Sequence, residues 1–209
     1  MSLKCCGNPG RPRNFDPAKA LAAALQVFWE KGYEGASLNE LTQAMGINKP
    51  SMYATFGNKE QLFFKAIELY EQRPNAYFYP ALAKATAYQV AEHILRGAIT
   101  NLSDPTQPQG CVVIQAALSC GQSANSIKEA LKDRRNQAGA ALLQRLQRAQ
   151  QEQDLRADAS PEALAHYLAT VLQGLNVHAT NGASIQQLEL IAKLTLATFQ
   201  NATRDPATD

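Results

Sequence analysis

The sequence of 209 residues predicts an all-α protein built from two helical domains. Ala, Leu and Gln dominate the composition, and the longest run typical of a strand is Cys111-Val112-Val113-Ile114. Elsewhere apolar residues recur every three or four positions, which is the period of an amphipathic helix. We expect a flexible basic arm at residues 1–14, a three-helix domain at 15–58 and a larger helical domain at 59–209.

The first helix follows a polar arm, MSLKCCGNPGRPRN, whose Gly and Pro content is typical of disorder. Asp16 is a good N-cap, and Pro17 fits the first helical turn. Gly32 is expected to end the helix. The residues predicted to form its buried stripe are Leu21, Ala24, Leu25, Phe28 and Trp29.

Two short helices joined by a tight turn are predicted next. Ser37 is an N-cap, and Glu40 three residues later completes a capping box. Gly46 ends this helix where a positive φ is needed, and the second helix spans 49–56 before Gly57. This layout is that of a DNA-binding helix-turn-helix, in which the second helix enters the major groove. An ordinary helical hairpin has the same layout, so side chains must decide between them.

The side chains of the second helix favour DNA binding. Met52 and Phe56, four residues apart, form its inward face, and the remaining positions are polar or small. We expect Lys49 and Thr55 to contact base edges, with Ala54 near a thymine methyl group. The residues expected to hold phosphates are Ser37, Thr42, Ser51, Tyr53 and Lys59.

The segment from residue 15 to 67 resembles the DNA-binding domain of the TetR/AcrR family of bacterial transcription regulators. The family's Gly-[Tyr/Phe]-x-x-[Thr/Ala]-[Ser/Thr] step is present at 32–37. Its longer signature matches Gly46, Met52, Tyr53, Phe56 and Lys59. The stretch 154–175 resembles the family more loosely. The resemblance implies that Arg11 and Arg13 belong to an arm that lies along the minor groove or its phosphates.

The larger domain is predicted to begin with a helix from Lys59 to about Tyr77, capped by Asn58 and kinked or broken at Pro74. Further helices are expected at 87–101, 110–120 and 126–153. The last has an apolar stripe of Ile127, Leu131, Ala138, Leu142, Leu146 and Ala149. Its cationic residues are expected to form a solvated face: Lys128, Lys132, Arg134, Arg135, Arg145 and Arg148.

The last two helices are predicted to form a dimer interface. One begins at Ser160-Pro161 and runs to about Asn181, and Ser184 with Gln187 caps the other. Both helices are apolar on two sides, so one side faces the chain's own domain and the other needs a partner. A four-helix interface between two copies fits this pattern. The candidate interface residues are Leu164, Leu168, Val171, Leu175, Leu188, Ile191, Leu194 and Ala197.

The sequence does not predict catalysis, a cofactor or a metal site. It contains no nucleophile elbow, P-loop or dinucleotide-binding motif. His166 and His178 lie about 120° apart around one helix, so they cannot share a metal ion. Four Cys without a C-x-x-C pair argue against a structural zinc site and against a secreted disulfide scaffold.

Cys111 and Cys120 bracket a short apolar helix and leave two interpretations open. Both can be small buried hydrophobes, as free cysteines usually are. Alternatively Cys111, at the helix N-terminus, acts as a thiol sensor of oxidants or electrophiles. The polar-tipped residues expected to line an effector pocket are Tyr70, Tyr77, Cys111, Gln115, Tyr167 and His178.

We therefore expect a cytoplasmic homodimeric repressor that a small molecule of unknown identity releases from a palindromic operator in double-stranded DNA. The net charge of +2 requires a local DNA-binding patch rather than a polybasic tail. No apolar stretch is long enough to span a bilayer, and no signal peptide is expected. Two alternatives remain, which are an all-α dimeric interaction module without DNA binding and a thiol-based sensor acting through Cys111.

Overall fold

The computed structural model of the chain describes residues 15–73, 76–119 and 124–203. Over these ranges the chain is all-α, as predicted, with no strand and a single isolated bridge between Leu155 and Thr203. Arg11, Arg13, Cys5, Cys6 and Cys120 lie outside the described residues. The helices are α1 (Pro17–Gly35), α2 (Leu38–Met45), α3 (Lys49–Phe56), α4 (Lys59–Glu71), α5 (Phe78–Ala81), α6 (Ala87–Leu102), α7 (Val112–Ser119), α8 (Asn125–Gln151), α9 (Pro161–Thr180) and α10 (Ile185–Ala202).

The N-terminal core forms around α1. The Asp16 carboxylate accepts hydrogen bonds from the first helical amides, and Gly32 interrupts the helix with φ 71°. Phe28 is fully buried and meets Phe63 of α4 edge to face, with ring centroids 5.1 Å apart. Aromatic pairs in this arrangement add to the stabilisation that burial alone provides. This contact joins α1 to α4, and Leu41 and Met45 of α2 are buried in the same core.

This N-terminal core extends beyond the boundary expected at residue 58. The buried face of α4 belongs to it, and so do Val112 and Ala116 of α7 and Ile127 and Leu131 of α8. A three-helix unit of about 40 residues buries too little apolar surface to be stable alone, so the additional helices complete its core. The segment that begins α7 is therefore packed directly against the N-terminal helices.

The helix that begins at Lys59 is shorter than expected. It ends at Glu71, with Gln72 as its C-cap, and α5 is a separate element rather than its continuation. Pro74, where a kink or break was expected, lies outside the described residues. A proline cannot donate the backbone hydrogen bond that a continuing helix needs, which accounts for an end before it.

The C-terminal core is formed by α6, the second half of α8, α9 and α10. Its largest fully buried side chains include Ile94, Leu95 and Phe199. Asp154 follows α8 and accepts a hydrogen bond from the Ala87 amide at the start of α6, at 2.5 Å. None of the helices that the structure describes is long and apolar enough to cross a membrane.

The cationic face expected on α8 is only partly solvated. Arg145 is 6 % exposed and donates from Nη2 to the carbonyl oxygens of Lys84 at 2.8 Å and Ala85 at 2.9 Å. The prediction that it faces solvent is therefore wrong. Backbone carbonyls in the loop before α6 have no helical partner, and a buried guanidinium satisfies them.

Candidate functional site

The helix-turn-helix is fixed by side-chain caps at the start of its two helices and by glycine caps at their ends. Ser37 Oγ accepts from the Glu40 amide at 3.2 Å, and Glu40 Oε2 accepts from the Ser37 amide at 3.0 Å. Gly46 has φ 66° and ψ 29° in the turn, and Asn48 caps α3. Lys31 of α1 forms an ion pair with Glu40, which ties the first helix to the motif. The orientation of α3 thus depends on local hydrogen bonds as well as on packing.

The short helix α3 presents a polar face outward. Met52 and Phe56 are buried in the N-terminal core, as predicted from their spacing. Lys49, Tyr53 and Ala54 are exposed, and the Tyr53 ring is 47 % exposed. Ser51 and Thr55 are half-buried, and Ser37 at the start of α2 is exposed. A short helix with one buried stripe and an otherwise exposed polar face fits the surface that a major groove accepts.

Thr42 does not share that surface. Its side chain is buried, and its hydroxyl donates to the Leu38 carbonyl at 2.8 Å. Thr42 is therefore not available to hold a phosphate, which corrects that expectation. Its hydroxyl instead bonds the carbonyl four residues earlier, as threonines inside helices often do.

Lys59 is half-buried at the start of α4. Its Nζ lies 4.6 Å from the centre of the Tyr33 ring, and burial lowers the pKa of its ammonium group. The cation–π contact fixes the position of this charge. Asn58 and Gln61 form a capping box that already binds two backbone amides at this helix start.

A cavity of about 210 Å³ lies among α4, α5, α7, α8 and α9. Tyr70, Tyr77 and Cys111 line it, as expected from the sequence. Gln115, Tyr167 and His178 do not, which corrects that part of the prediction. The Gln115 side chain donates to the Gln109 carbonyl at 2.6 Å, and Tyr167 and His178 face outward on α9. Tyr167 and His178 do lie on a helix that lines the cavity, but on its exposed side.

The sequence-based prediction missed three arginines of the cavity wall, which are Arg73, Arg134 and Arg135. The spacing contains a usable signal, because Arg135 lies four residues after Leu131 and seven before Leu142 on the buried stripe of α8. Arg134 forms an ion pair with Glu71. Arg73 stacks on the Tyr70 ring, with its guanidinium carbon 3.9 Å from the ring centre.

Two buried tyrosines of the cavity, Tyr70 and Tyr77, have raised pKa values. Burial, and to a smaller degree the neighbouring Cys111, raises the pKa of both Tyr70 and Tyr77. Tyr70 and Cys111 also share a side-chain hydrogen bond. Cys111 is partly exposed and is not part of a disulfide. The cavity therefore combines neutral hydroxyl groups, a thiol and cationic groups.

A chain of contacts leads from this cavity to the DNA-binding half. Arg73 also lies over the Trp29 ring, with its guanidinium carbon 4.6 Å from the ring centre. Trp29 Nε1 donates a buried hydrogen bond to the Gly110 carbonyl at 3.0 Å. Gly110 has φ 85°, and a Cβ there would lie 2.2 Å from Gln115 Nε2, so the turn requires glycine. Trp29 belongs to α1, which supports the helix-turn-helix.

The outer surface of α9 and α10 carries several exposed apolar side chains. Leu194 is 71 % exposed, Ala197 is exposed, and Val171 and Ile191 are half-buried. The candidate interface residues Leu164, Leu168, Leu175 and Leu188 are instead buried in the chain's own core, so a partner cannot reach them. Tyr167, Val177 and Leu190 are exposed although they were not among the candidates. Two apolar stripes on one helix cannot be told apart from spacing alone.

Among the described residues no group of three His, Cys, Asp or Glu side chains could hold a metal ion. The exposed α3, its buried anchors and the cavity-bearing helical domain define a helix-turn-helix transcription regulator.

Comparison with known proteins identifies the family. Residues 20–66 match the model of the bacterial regulatory proteins of the tetR family, and residues 92–193 match a tetracyclin repressor-like C-terminal domain. The chain belongs to the TetR family of DNA-binding transcription regulators.

Individual relatives agree with this assignment. The HTH-type transcriptional repressor ComR of Escherichia coli K12 is 32% identical over 191 residues, which cover 90% of each chain. The repressor BdcR of the same organism is 29% identical over 86% of this chain and 87% of its own length. A cysteine-substituted mutant of the TetR-family regulator CifR, solved with 26-base-pair operator DNA, is 36% identical. It superimposes with a TM-score of 0.85 over 91% of this chain and 100% of that chain.

Proposed function

We propose that the chain is a homodimeric repressor that binds a palindromic operator and is released when a small molecule fills the cavity. The observation that carries this proposal is the exposed polar face of α3, held by Met52 and Phe56. ComR and BdcR are named repressors, and the CifR mutant was solved on operator DNA. Such a protein acts where the chromosome is, in the cytoplasm.

The proposed DNA contacts follow from the exposed groups. Lys49 and Thr55 contact base edges, and Ala54 approaches a thymine methyl group. Ser37, Ser51, Tyr53 and Lys59 hold phosphates, and Arg11 and Arg13 extend along the minor groove. Thr42 is no longer part of this set.

A gel shift with the DNA upstream of the protein's own gene tests operator binding. We expect a specific complex that weakens steeply with salt, because lysine and arginine contacts release counterions from the phosphates. Weak binding that is indifferent to sequence would instead support an all-α interaction module without DNA specificity.

Dimerisation is proposed to use the outer face of α9 and α10. This apolar face, which includes Leu190 and Leu194, would be an unusually large exposed patch on a monomer. An interface of obligate size buries roughly 2,000 Å² or more in total. Sedimentation at micromolar concentration tests the proposal, and a monomer there would exclude both the interface and the palindromic operator.

Release is proposed to start at the cavity and to reach α1 through Arg73, Trp29 and Gly110. A ligand that displaces Tyr70 or the start of α7 changes how α1 sits on α4, and hence the spacing of the two α3 helices in a dimer. Dimeric helix-turn-helix proteins bind half-sites about one helical turn apart, so a small change in the spacing of the α3 helices breaks their contacts with DNA. The ligand must bind one conformation better than the other.

A second candidate function is thiol sensing by Cys111. The observation that favours it is the position of this partly exposed thiol on the cavity wall, beside the Tyr70 hydroxyl. In this mechanism the thiolate adds to an electrophilic carbon that enters the cavity. N-ethylmaleimide should then release operator DNA from the native protein but not from Cys111→Ser. Equal release from both proteins would exclude Cys111 as the sensor.

A further inference from the structure

We infer that the cavity takes a small ligand with an apolar body and one carboxylate, and that Arg135 holds the carboxylate. This inference rests on the proposed role of the cavity as the effector site.

The cavity wall carries more positive than negative charge. Arg73, Arg134 and Arg135 line it, and Glu71 is the single acidic side chain among its lining residues. Glu71 pairs with Arg134. That pair leaves two guanidinium groups without a carboxylate from the wall.

Arg73 already has partners of its own. Its Nε donates to the Tyr70 carbonyl at 3.1 Å, and its Nη1 donates to Gln107 Oε1 at 3.1 Å. Its face stacks on the rings of Tyr70 and Trp29. Arg73 is thus held in place by the fold and has little freedom to turn toward a ligand.

Arg135 differs from both. Its Nη1 is buried and has no hydrogen-bond acceptor among the residues that the structure describes. A buried donor without a partner destabilises the fold, and a charged one does so more strongly. A carboxylate accepts two parallel hydrogen bonds from a guanidinium and also neutralises its charge. Because Arg135 also lines the cavity, an anionic ligand that reaches this guanidinium would satisfy a group that the protein leaves unsatisfied.

The rest of the wall limits the body of the ligand. Val113, Ile114, Leu142 and Leu172 give it apolar surfaces, and Tyr70 and Tyr77 add aromatic ones. The volume of about 210 Å³ exceeds the roughly 150 Å³ of an engineered cavity that binds benzene. A single ring or a short alkyl chain that bears a carboxylate matches this space.

The test measures binding of benzoate, phenylacetate and hexanoate to the full-length protein, each beside its neutral primary amide. Calorimetry gives the Kd, and a rise in Tm with ligand concentration confirms binding to the folded state. We expect at least one carboxylate to bind and its amide to bind at least about tenfold more weakly, because the amide lacks the charge that Arg135 pairs with.

Arg135→Gln should weaken carboxylate binding at least about tenfold and leave amide binding unchanged, since it removes a charge-assisted hydrogen bond. Arg148→Gln is the matched control, because Arg148 lies on the same helix, is exposed and pairs with Glu152. Arg135→Lys keeps the charge without the fork and should bind with intermediate affinity. If Arg135→Gln folds poorly, the affinity of Arg135→Lys tests the role of Arg135 in its place.

Three results would overturn the inference: no carboxylate binds, the amides bind as tightly as the acids, or Arg135→Gln binds the acids like the native protein. Operator binding is measured on the same preparation without any probe. If the native protein does not bind operator, the proposed function is refuted. If it binds operator but no carboxylate, only the ligand class is refuted.

Discussion

The hydrogen bond between Trp29 and Gly110 joins the two halves of the protein, and Trp29→Phe removes it. Trp29 is 3 % exposed, and its ring meets Tyr70 edge to face at 4.9 Å. Phenylalanine keeps an aromatic ring in the same core. Phenylalanine cannot donate a hydrogen bond, so the buried Gly110 carbonyl loses the indole N–H that it accepts from in the native protein.

The expected loss of stability follows from these contacts. A buried carbonyl that loses its donor costs about 1–3 kcal/mol. A weaker cation–π contact with Arg73 adds about 0.5–1 kcal/mol, because indole is the best ring for such contacts. The total is roughly 1.5–4 kcal/mol. Each kcal/mol corresponds to a fall in Tm of about 2–4 °C for a chain of this size.

Urea unfolding followed by far-UV circular dichroism, at fixed protomer concentration, measures this loss. Trp29 is the single tryptophan of the chain, so fluorescence cannot be compared between the two proteins. Phe28→Leu is the matched control, because Phe28 is buried on the same helix and contacts Tyr33 and Phe63 within the N-terminal core. It should destabilise the protein without disturbing the link to the cavity.

The link itself can be measured without knowing the effector. Coupling between sites is reciprocal, so the proposed release mechanism requires that operator binding bias the conformation of the cavity. The rate at which N-ethylmaleimide alkylates Cys111, followed by peptide mass spectrometry, should change when operator is bound. Trp29→Phe should at least halve that change, and Phe28→Leu should preserve it. An unchanged operator effect in Trp29→Phe, or a stability like that of the native protein, would refute the assigned role.

Three further predictions concern the DNA-binding motif and the dimer. Leu194→Glu should give a monomer with weak operator binding in sedimentation and gel-shift experiments, because it charges the exposed apolar face, whereas the exposed Gln200→Glu should remain dimeric. Lys49→Ala should cost about 1–3 kcal/mol at one operator position on a panel of single-base-pair variants, while Lys59→Ala should weaken all variants alike. The hydrogen bond from Lys31 lowers the pKa of Glu40 from 4.5 to about 2. The ionised Glu40 side chain therefore stabilises the folded state above pH 4.5, and this stabilisation is lost as the pH falls toward about 2. Glu40→Gln should therefore reduce Tm at neutral pH and remove that part of the acid dependence.

The helix boundaries of the helix-turn-helix could be predicted from the sequence, whereas the extent of the N-terminal core and the burial of Thr42 could not. The helices of this motif begin and end at capping side chains and glycines, and these signals are local. Ser37 with Glu40, and Gly46 with φ 66°, adopt the conformations that their residue types favour. Met52 and Phe56 face inward because helical spacing leaves a helix this short only one buried stripe.

The wall of the cavity and the outer face of α9 and α10 could not be predicted in the same way. Leu168 and Leu194 are both apolar and both lie at helical spacing, but one is fully buried and the other is exposed. Which stripe turns inward depends on packing between distant helices. Arg145 and Arg135 were assigned to solvent because charged residues usually are, whereas their positions depend on carbonyls and a cavity contributed by other segments.

Four consecutive residues explain how an event in the cavity can reach the DNA. Gly110 accepts the hydrogen bond from Trp29, Cys111 and Val113 line the cavity, and Val112 is fully buried in the N-terminal core. A ligand that shifts Cys111 must therefore also move groups that pack against α1. Val112 is close-packed in the N-terminal core, so in the proposed mechanism its displacement changes how α1 sits. In the proposed release mechanism, the start of α7 therefore links the cavity to the N-terminal core that supports the helix-turn-helix.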